Sequence, residues 1–179
     1  MNDTNNILIG AGTVLINDET LGWTRDGVSI NHSAIFNQVF VDQELSPLKT
    51  TKVSERYTIS TNLAEITLEN IKKAWGMRQE IVGVTSDFVD YGGQQTKNRL
   101  YFGGDPVNSD LEEYTLDFWG KAPGSNTNRR IHFYKAVSID YGSMPTQKGG
   151  ETVLPVTFEA LADSSRIRGQ QLGYLEDET

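Results

Sequence analysis

The 179-residue chain contains no cysteine, which excludes disulfide frameworks, thiolate zinc sites, cysteine nucleophiles and thiol redox pairs. Histidine is almost as scarce. His32 and His132 are the only two, so any metal centre has to be built from oxygen ligands. Basic residues number 16 against 24 acidic ones, for a formal charge of -8, and an acidic surface repels the phosphate backbone that a nucleic-acid reader must grip. No apolar run approaches the roughly 20 residues of a membrane-spanning helix. The opening MNDTNNILIG lacks the basic region and apolar core of a secretory signal, so residence in a cytoplasm without a membrane anchor is the expectation. Internal repeats and low-complexity segments are also missing.

What is present reads as one β-rich domain. The length fits a single core, and 37% hydrophobic with 22% charged residues is the composition of a folded soluble protein. Apolar residues recur mostly at period two. Over 53–63 the odd positions include Val53, Tyr57, Ile59 and Leu63, and the even positions are Ser54, Arg56, Thr58, Ser60 and Asn62. Over 131–139, Ile131, Phe133, Val137 and Ile139 alternate with His132, Tyr134, Ala136 and Ser138, with Lys135 interrupting the apolar face. Further strands are expected at 13–16, 28–32, 35–42, 80–84, 99–102, 114–119 and 153–161, separated by turns rich in Gly, Pro, Asn and Asp. One helix is expected over 67–75. Thr67 suits the N-cap, Ile66 can staple onto Ile71, and Leu68, Ile71, Ala74 and Trp75 share a packing face before Gly76. Loops are expected at 44–52, 122–128 and 141–150, and the polar end at 164–179 is expected to order on assembly. The fold class is therefore mainly β, a β-sandwich or partly open barrel with one flanking α-helix. One short helix cannot cover so many strands, and the sheet edges left over call for partners.

Signatures of chemistry are weak. ILIGAGTVLI begins like a dinucleotide-binding loop, but Leu15 stands where the third glycine belongs, and β-branched residues follow where a helix should open. No cofactor is expected. The carboxylate pairs Asp42 and Glu44, Glu112 and Glu113, and Asp87 and Asp90 permit a glycosidase-like acid and base only if they face across a cleft. In an acidic chain such pairs are more often solvated turns. Asp105 and Asp110 lack the spacing of a calcium loop. Trp23, Trp75 and Trp119 allow a sugar-stacking platform, with core packing the commoner use of such residues. No G-x-S-x-G elbow occurs, and both histidines fall in alternating segments. The chain is not expected to be an enzyme.

The order of several segments carries more. GAGTVLINDETLGWTRDGVSI gives a strand, a turn and a Gly27-initiated strand; VDQELSPLKTTK follows as a loop, then the returning strand ERYTISTNLAEIT and the helix TLENIKKAWGM. IHFYKAVSIDYG and GGETVLPVTFEALAD then read as a final strand pair. Taken together, these segments resemble the phage major tail proteins that form the tail tube, a family that also includes the tube protein of type VI secretion. The resemblance spans most of the chain; 79–128 matches least and reads as a lineage-specific insertion, and the additional immunoglobulin-like C-terminal domain of some relatives has no counterpart.

The resemblance implies six copies to a ring, rings stacked into a tube lined by a continuous inner β-barrel, and a place in the virion tail after assembly in the host bacterial cytoplasm. It also implies a tape measure protein and tail terminator or baseplate proteins as partners, with double-stranded DNA passing through without specific binding. The loop residues Glu44, Leu45, Ser46, Pro47, Leu48, Lys49, Thr50, Thr51 and Lys52 are then expected to stack onto the adjacent ring, Pro47 stiffening the loop and Leu45 and Leu48 supplying apolar contacts. Ser54, Arg56, Thr58, Ser60 and Asn62 are expected to face the lumen, subject to strand register. Leu68, Ile71 and Trp75 are expected to pack the helix. Alternatives are the inner tube of a contractile tail or phage-derived injection particle and, from other classes, a carbohydrate-binding β-sandwich module or a small acidic glycosidase.

Overall fold

The structure is a computed structural model and describes residues 12–79, 81–85, 96–103, 111–122, 127–144 and 150–178. Its strands are β1 (Thr13–Ile16), β2 (Glu19–Thr20), β3 (Thr24–Val39), β4 (Lys49–Leu63), β5 (Val82–Thr85), β6 (Thr96–Arg99), β7 (Tyr114–Lys121), β8 (Asn128–Tyr141), β9 (Leu154–Ala160) and β10 (Gly173–Asp177), with a single helix α1 (Leu68–Ala74) among the described residues. The fold is mainly β and every pairing is antiparallel. Eight strands join one sheet in the order β2-β1-β7-β8-β9-β4-β3, with β10 on β8 as well, and β5 and β6 form a separate pair.

The period-two pattern does what it predicts where a strand has one buried face. Along β9, Leu154, Val156, Phe158 and Ala160 are buried and the residues between them are half-exposed. On β4, Ile59, Thr61 and Leu63 point into the same core. Val14 and Ile16 of β1, Leu116 of β7, Phe133 of β8 and Phe158 of β9 belong to one buried cluster with Ile59 and Leu63. Strands from the two halves of the sheet thus share one core, which requires the sheet to curl around it.

Helix α1 covers part of that core. Thr67 is extended (φ -85°, ψ 161°), and its hydroxyl accepts from the Asn70 amide at 3.1 Å, satisfying one of the helix's open donors. Ala74 is buried and Ile66, Ile71 and Trp75 pack against the cluster. Leu68 does not join them: it is 37% exposed, and the inward position one turn before Ala74 is taken by Asn70, whose side-chain amide donates to the Glu65 carbonyl at 2.8 Å. Ser138 of β8 donates to the Ala74 carbonyl, tying the helix end to the sheet.

Several boundaries differ from the sequence reading for identifiable reasons. The segments 28–32 and 35–39 are one strand, β3, paired to β4 from Thr24 to Val39, and 40–42, expected to continue it, lie in the turn that follows. It bends where the register shifts between Arg25 and Val28, with Asp26 and Gly27 at φ 63° and 80°, a bulge that glycine accommodates without strain. On β8 the register slips against β7 between Tyr114 and Leu116. This extra residue exchanges the faces, so Phe133 and then Ala136 point inward, while Lys135 turns out to Glu113 at 3.0 Å instead of breaking the apolar face. Strand β7 sits inside the main sheet, and among the described residues of 79–128 the β5-β6 ribbon stands apart from it. The polar end 164–179 includes β10, with Gly173 to Asp177 opposite Phe133 to Arg129.

Replacing Thr67 with alanine removes the cap and is expected to lower unfolding free energy by about 1 kcal/mol, read as a lower urea midpoint at unchanged slope. Gly173→Ala places a β-carbon against the His132 carbonyl oxygen; faster amide exchange confined to 174–177 is the expected result.

Candidate functional site

The most distinctive surface is built by strand length. β4 has β9 beside it only from Thr58 to Leu63. The preceding residues, Lys49 to Tyr57, pair with β3 alone, and β3 has no second neighbour among the described residues. The two strands therefore leave the body as a free ribbon, about 30 Å long at roughly 3.3 Å per residue. Residues 40–48 form its tip, closed by the Leu48 amide on the Val39 carbonyl at 2.9 Å and the Glu44 amide on the Val41 carbonyl at 3.2 Å. Ile35, Phe36, Val39, Phe40, Leu45, Leu48 and Val53 are all exposed along this arm. A lone two-stranded ribbon is marginal in water, and a row of exposed large apolar residues marks a surface meant for contact.

The expected stacking loop falls on this tip with shifted bounds. Glu44, Leu45, Ser46, Pro47 and Leu48 lie in the turn, with Leu45 fully exposed. Lys49, Thr50, Thr51 and Lys52 do not belong to the loop: they are strand residues opposite Val39, Gln38, Asn37 and Phe36. The β-branched threonines favour that extended pairing. A register shift between Ile35 and Phe36 leaves Val53 as the extra residue. Near the base, the His32 and Tyr57 rings stack at 4.3 Å, and Glu55 accepts from Lys52 at 2.6 Å and Tyr57 at 3.2 Å while its other contact is His32 at 2.9 Å. The Lys52 ammonium foremost holds the Glu55 carboxyl below its ordinary range, against partial desolvation.

Ser54, Arg56, Thr58, Ser60 and Asn62 occupy one face of β4, the face turned away from Ile59, Thr61 and Leu63. This face is polar and its charges are matched. Arg56 donates to Glu159 at 2.6 Å, Ser60 and Thr157 share a hydrogen bond at 3.0 Å, and Asn62 donates to Asp26 at 3.3 Å. Arg25 pairs with Glu151. The hydrogen bond to Glu159 raises the Arg56 pKa.

A second cluster was not legible in the sequence. Asp117, 2% exposed, accepts on one oxygen from Arg130 at 2.6 Å and from His132 Nδ1 at 2.8 Å. Burial alone would raise its pKa, yet the hydrogen bonds from Arg130 and His132 outweigh it and hold the carboxyl below its ordinary 3.8. Next to it, Arg129 forks onto both Asp177 oxygens at 2.6 and 2.7 Å, which lowers the Asp177 pKa, and Glu178 accepts from Asn128 at 2.9 Å. Acidic LEDE is thereby fastened to the basic start of β8. The sequence signal was the matching of Arg129 and Arg130 with Glu176 and Asp177, visible only once the pairing register is known.

The other candidate residues do not converge. Asp42 lies in the arm tip region, while Glu112 pairs with Arg78 at 3.3 Å and Glu113 with Lys135. Asp87, Asp90, Asp105 and Asp110 lie outside the described residues. Trp75 packs beside Phe102 at 5.8 Å and Trp119 beneath Arg130 at 5.3 Å, whereas Trp23 is 80% exposed rather than packed, because it sits in the connection before β3, where its carbonyl accepts from the Ala64 amide at 2.8 Å. Among the described residues no helix is long and apolar enough to cross a membrane. No protein-family model matches the chain, and no curated protein matches its sequence.

Because folding depresses the Asp117 and Asp177 pKa values, their contribution to stability is complete above the ordinary aspartate value and is lost as pH falls through the lower folded values. Melting temperature is therefore expected to drop below about pH 4, the usual aspartate range, and Asp117→Asn should flatten that drop while lowering stability at neutral pH. An unchanged acid slope in the variant would assign the loss to other carboxylates.

Proposed function

We propose that this chain is a structural, non-enzymatic tube subunit of the phage-tail type, assembling as hexameric rings that stack into a conduit for double-stranded DNA. The observation that carries the reading is the free ribbon of β3 and β4, which leaves backbone edges and large apolar side chains in solvent. In a ring, the neighbouring copy supplies the missing strand partner, and closure removes the edges that otherwise invite open-ended aggregation. The nine unaccompanied residues of β4, 49–57, and the matching length of β3 are the strands that build the continuous inner barrel, and the apolar tip reaches the adjacent ring.

The polar face suits the lumen. Ser54, Thr58, Ser60 and Asn62 offer no net charge, and Arg56 is neutralised by Glu159 at 2.6 Å. A lining of this kind neither holds DNA by phosphate contacts nor blocks it by bulk, since counterion release needs unpaired cations. The tape measure, terminator and baseplate partners follow from the resemblance to tail tube proteins, as does the virion tail as location. The inner tube of a contractile tail is the same assembly with a sheath outside.

Concentrated protein is expected to form rings or tubes in negative-stain electron microscopy. Replacing Phe40, Leu45 and Leu48 together with serine removes exposed apolar area and no core residue; tubes should disappear while circular dichroism and melting temperature of the monomer stay unchanged. Tubes of normal length from this triple variant would refute the role of the arm tip.

A further inference from the structure

The sheet has a gap, and its position follows from one excursion of the chain. β9 lies against β8 from Ala160 opposite Ala136 to Val156 opposite Tyr141, and β10 lies against the same edge of β8 from Gly173 opposite Phe133 onward. Between them, residues 161–172 leave that edge and return to it at almost the same point: the Leu161 amide donates to the Lys135 carbonyl at 2.8 Å, and the Tyr134 amide to the Leu172 carbonyl at 3.2 Å. β4 follows β9 and would next run beside β10. The excursion stands in the way, so β4 and β10 separate and each keeps an edge without a strand among the described residues. The cleft left between them has a volume of about 800 Å³, and its walls include Tyr57 and Val53 of β4, Phe133 of β8, Leu172, and Tyr174 and Leu175 of β10.

We infer that this cleft is the receptor for the arm tip of a second copy of the chain, an inference that rests on the tube reading above and names its contact. Two features fit tip to cleft. The tip presents Phe40, Leu45 and Leu48 in solvent, and the cleft, although Glu55 and Gln171 also line it, presents enough apolar wall, including Val53, Phe133, Leu172 and Leu175, to accept several such side chains. A paired ribbon cannot fold back on its own base, and the tip stands at the far end of the ribbon whose base walls the cleft, so the tip that fills it comes from another molecule. Tip and cleft are different surfaces, which makes the contact head-to-tail, the type that propagates from copy to copy instead of stopping at a symmetric dimer.

The absence of native cysteine makes the test clean. Single variants Leu45→Cys, at the tip, and Leu175→Cys, at the cleft wall, are mixed under assembly conditions and treated with a short bismaleimide. A cross-linked dimer in the mixture, absent or at least tenfold weaker in either variant alone, is expected, and a chain carrying both cysteines should give a ladder of multimers. If microscopy shows rings or tubes but the mixed pair does not cross-link, or only Leu45→Cys links to itself, the docking is overturned and the tube reading stands. If the protein stays monomeric at every concentration with no cross-link, both fall together.

Discussion

The length of β4 governs the rest of this structure. Its last six residues, Thr58 to Leu63, lie between β3 and β9 and carry Ile59 and Leu63 into the core, whereas among the described residues the nine before them have a partner on one side only. Backbone amides and carbonyls along that stretch have to be met by water or by another chain, and water is a poor answer for a ribbon that also exposes Phe36, Phe40 and Leu48. The body of the protein is consequently self-sufficient, and its projection is not. A strand that outruns its sheet is costly to keep in solution, and in the proposed tube a neighbouring copy supplies the compensation.

Electrostatics oppose association at long range. With a formal charge of -8, like subunits repel at long range, and salt reduces that repulsion to contact distances. Within the fold the cations are largely spent on local partners: Arg56 on Glu159, Arg129 on Asp177, Arg130 on Asp117 and Lys135 on Glu113. Exposed pairs of this sort add little stability each. Their larger effect is to leave the β4 polar face without a free positive patch, and to hold β10 beside β8 so that one wall of the cleft stays in place.

Much of the architecture could be read from residues. Thr67, Ile71, Trp75 and Gly76 specify α1 by local rules of capping and spacing, and Val156 and Phe158 specify β9 by strict alternation; both elements fall within a residue or two of their expected bounds. The arm was legible in outline, because Leu45, Pro47 and Leu48 between two alternating segments announce a projecting turn. Its bounds were not, since Lys49 to Lys52 look like loop in isolation and become strand only opposite 36–39. β10 escaped notice because GYLED has no apolar alternation, and what defines it is a backbone ladder, lined by complementary charge, on β8, a strand some forty residues away in the chain.

The sequence by itself therefore determined the class of structure: β-rich, one helix, no thiol chemistry, an acidic surface and an apolar-tipped projection, all of which depend on composition or on neighbours within a few residues. Tertiary structure alone decided the sheet order, the register shifts that turn Lys135 outward, the burial of Asp117 beneath Arg130 and His132, and the cleft between β4 and β10. Each of these is a relation between segments far apart in the chain, and a one-residue change of pairing, which no local pattern forbids, would have placed different side chains on every face.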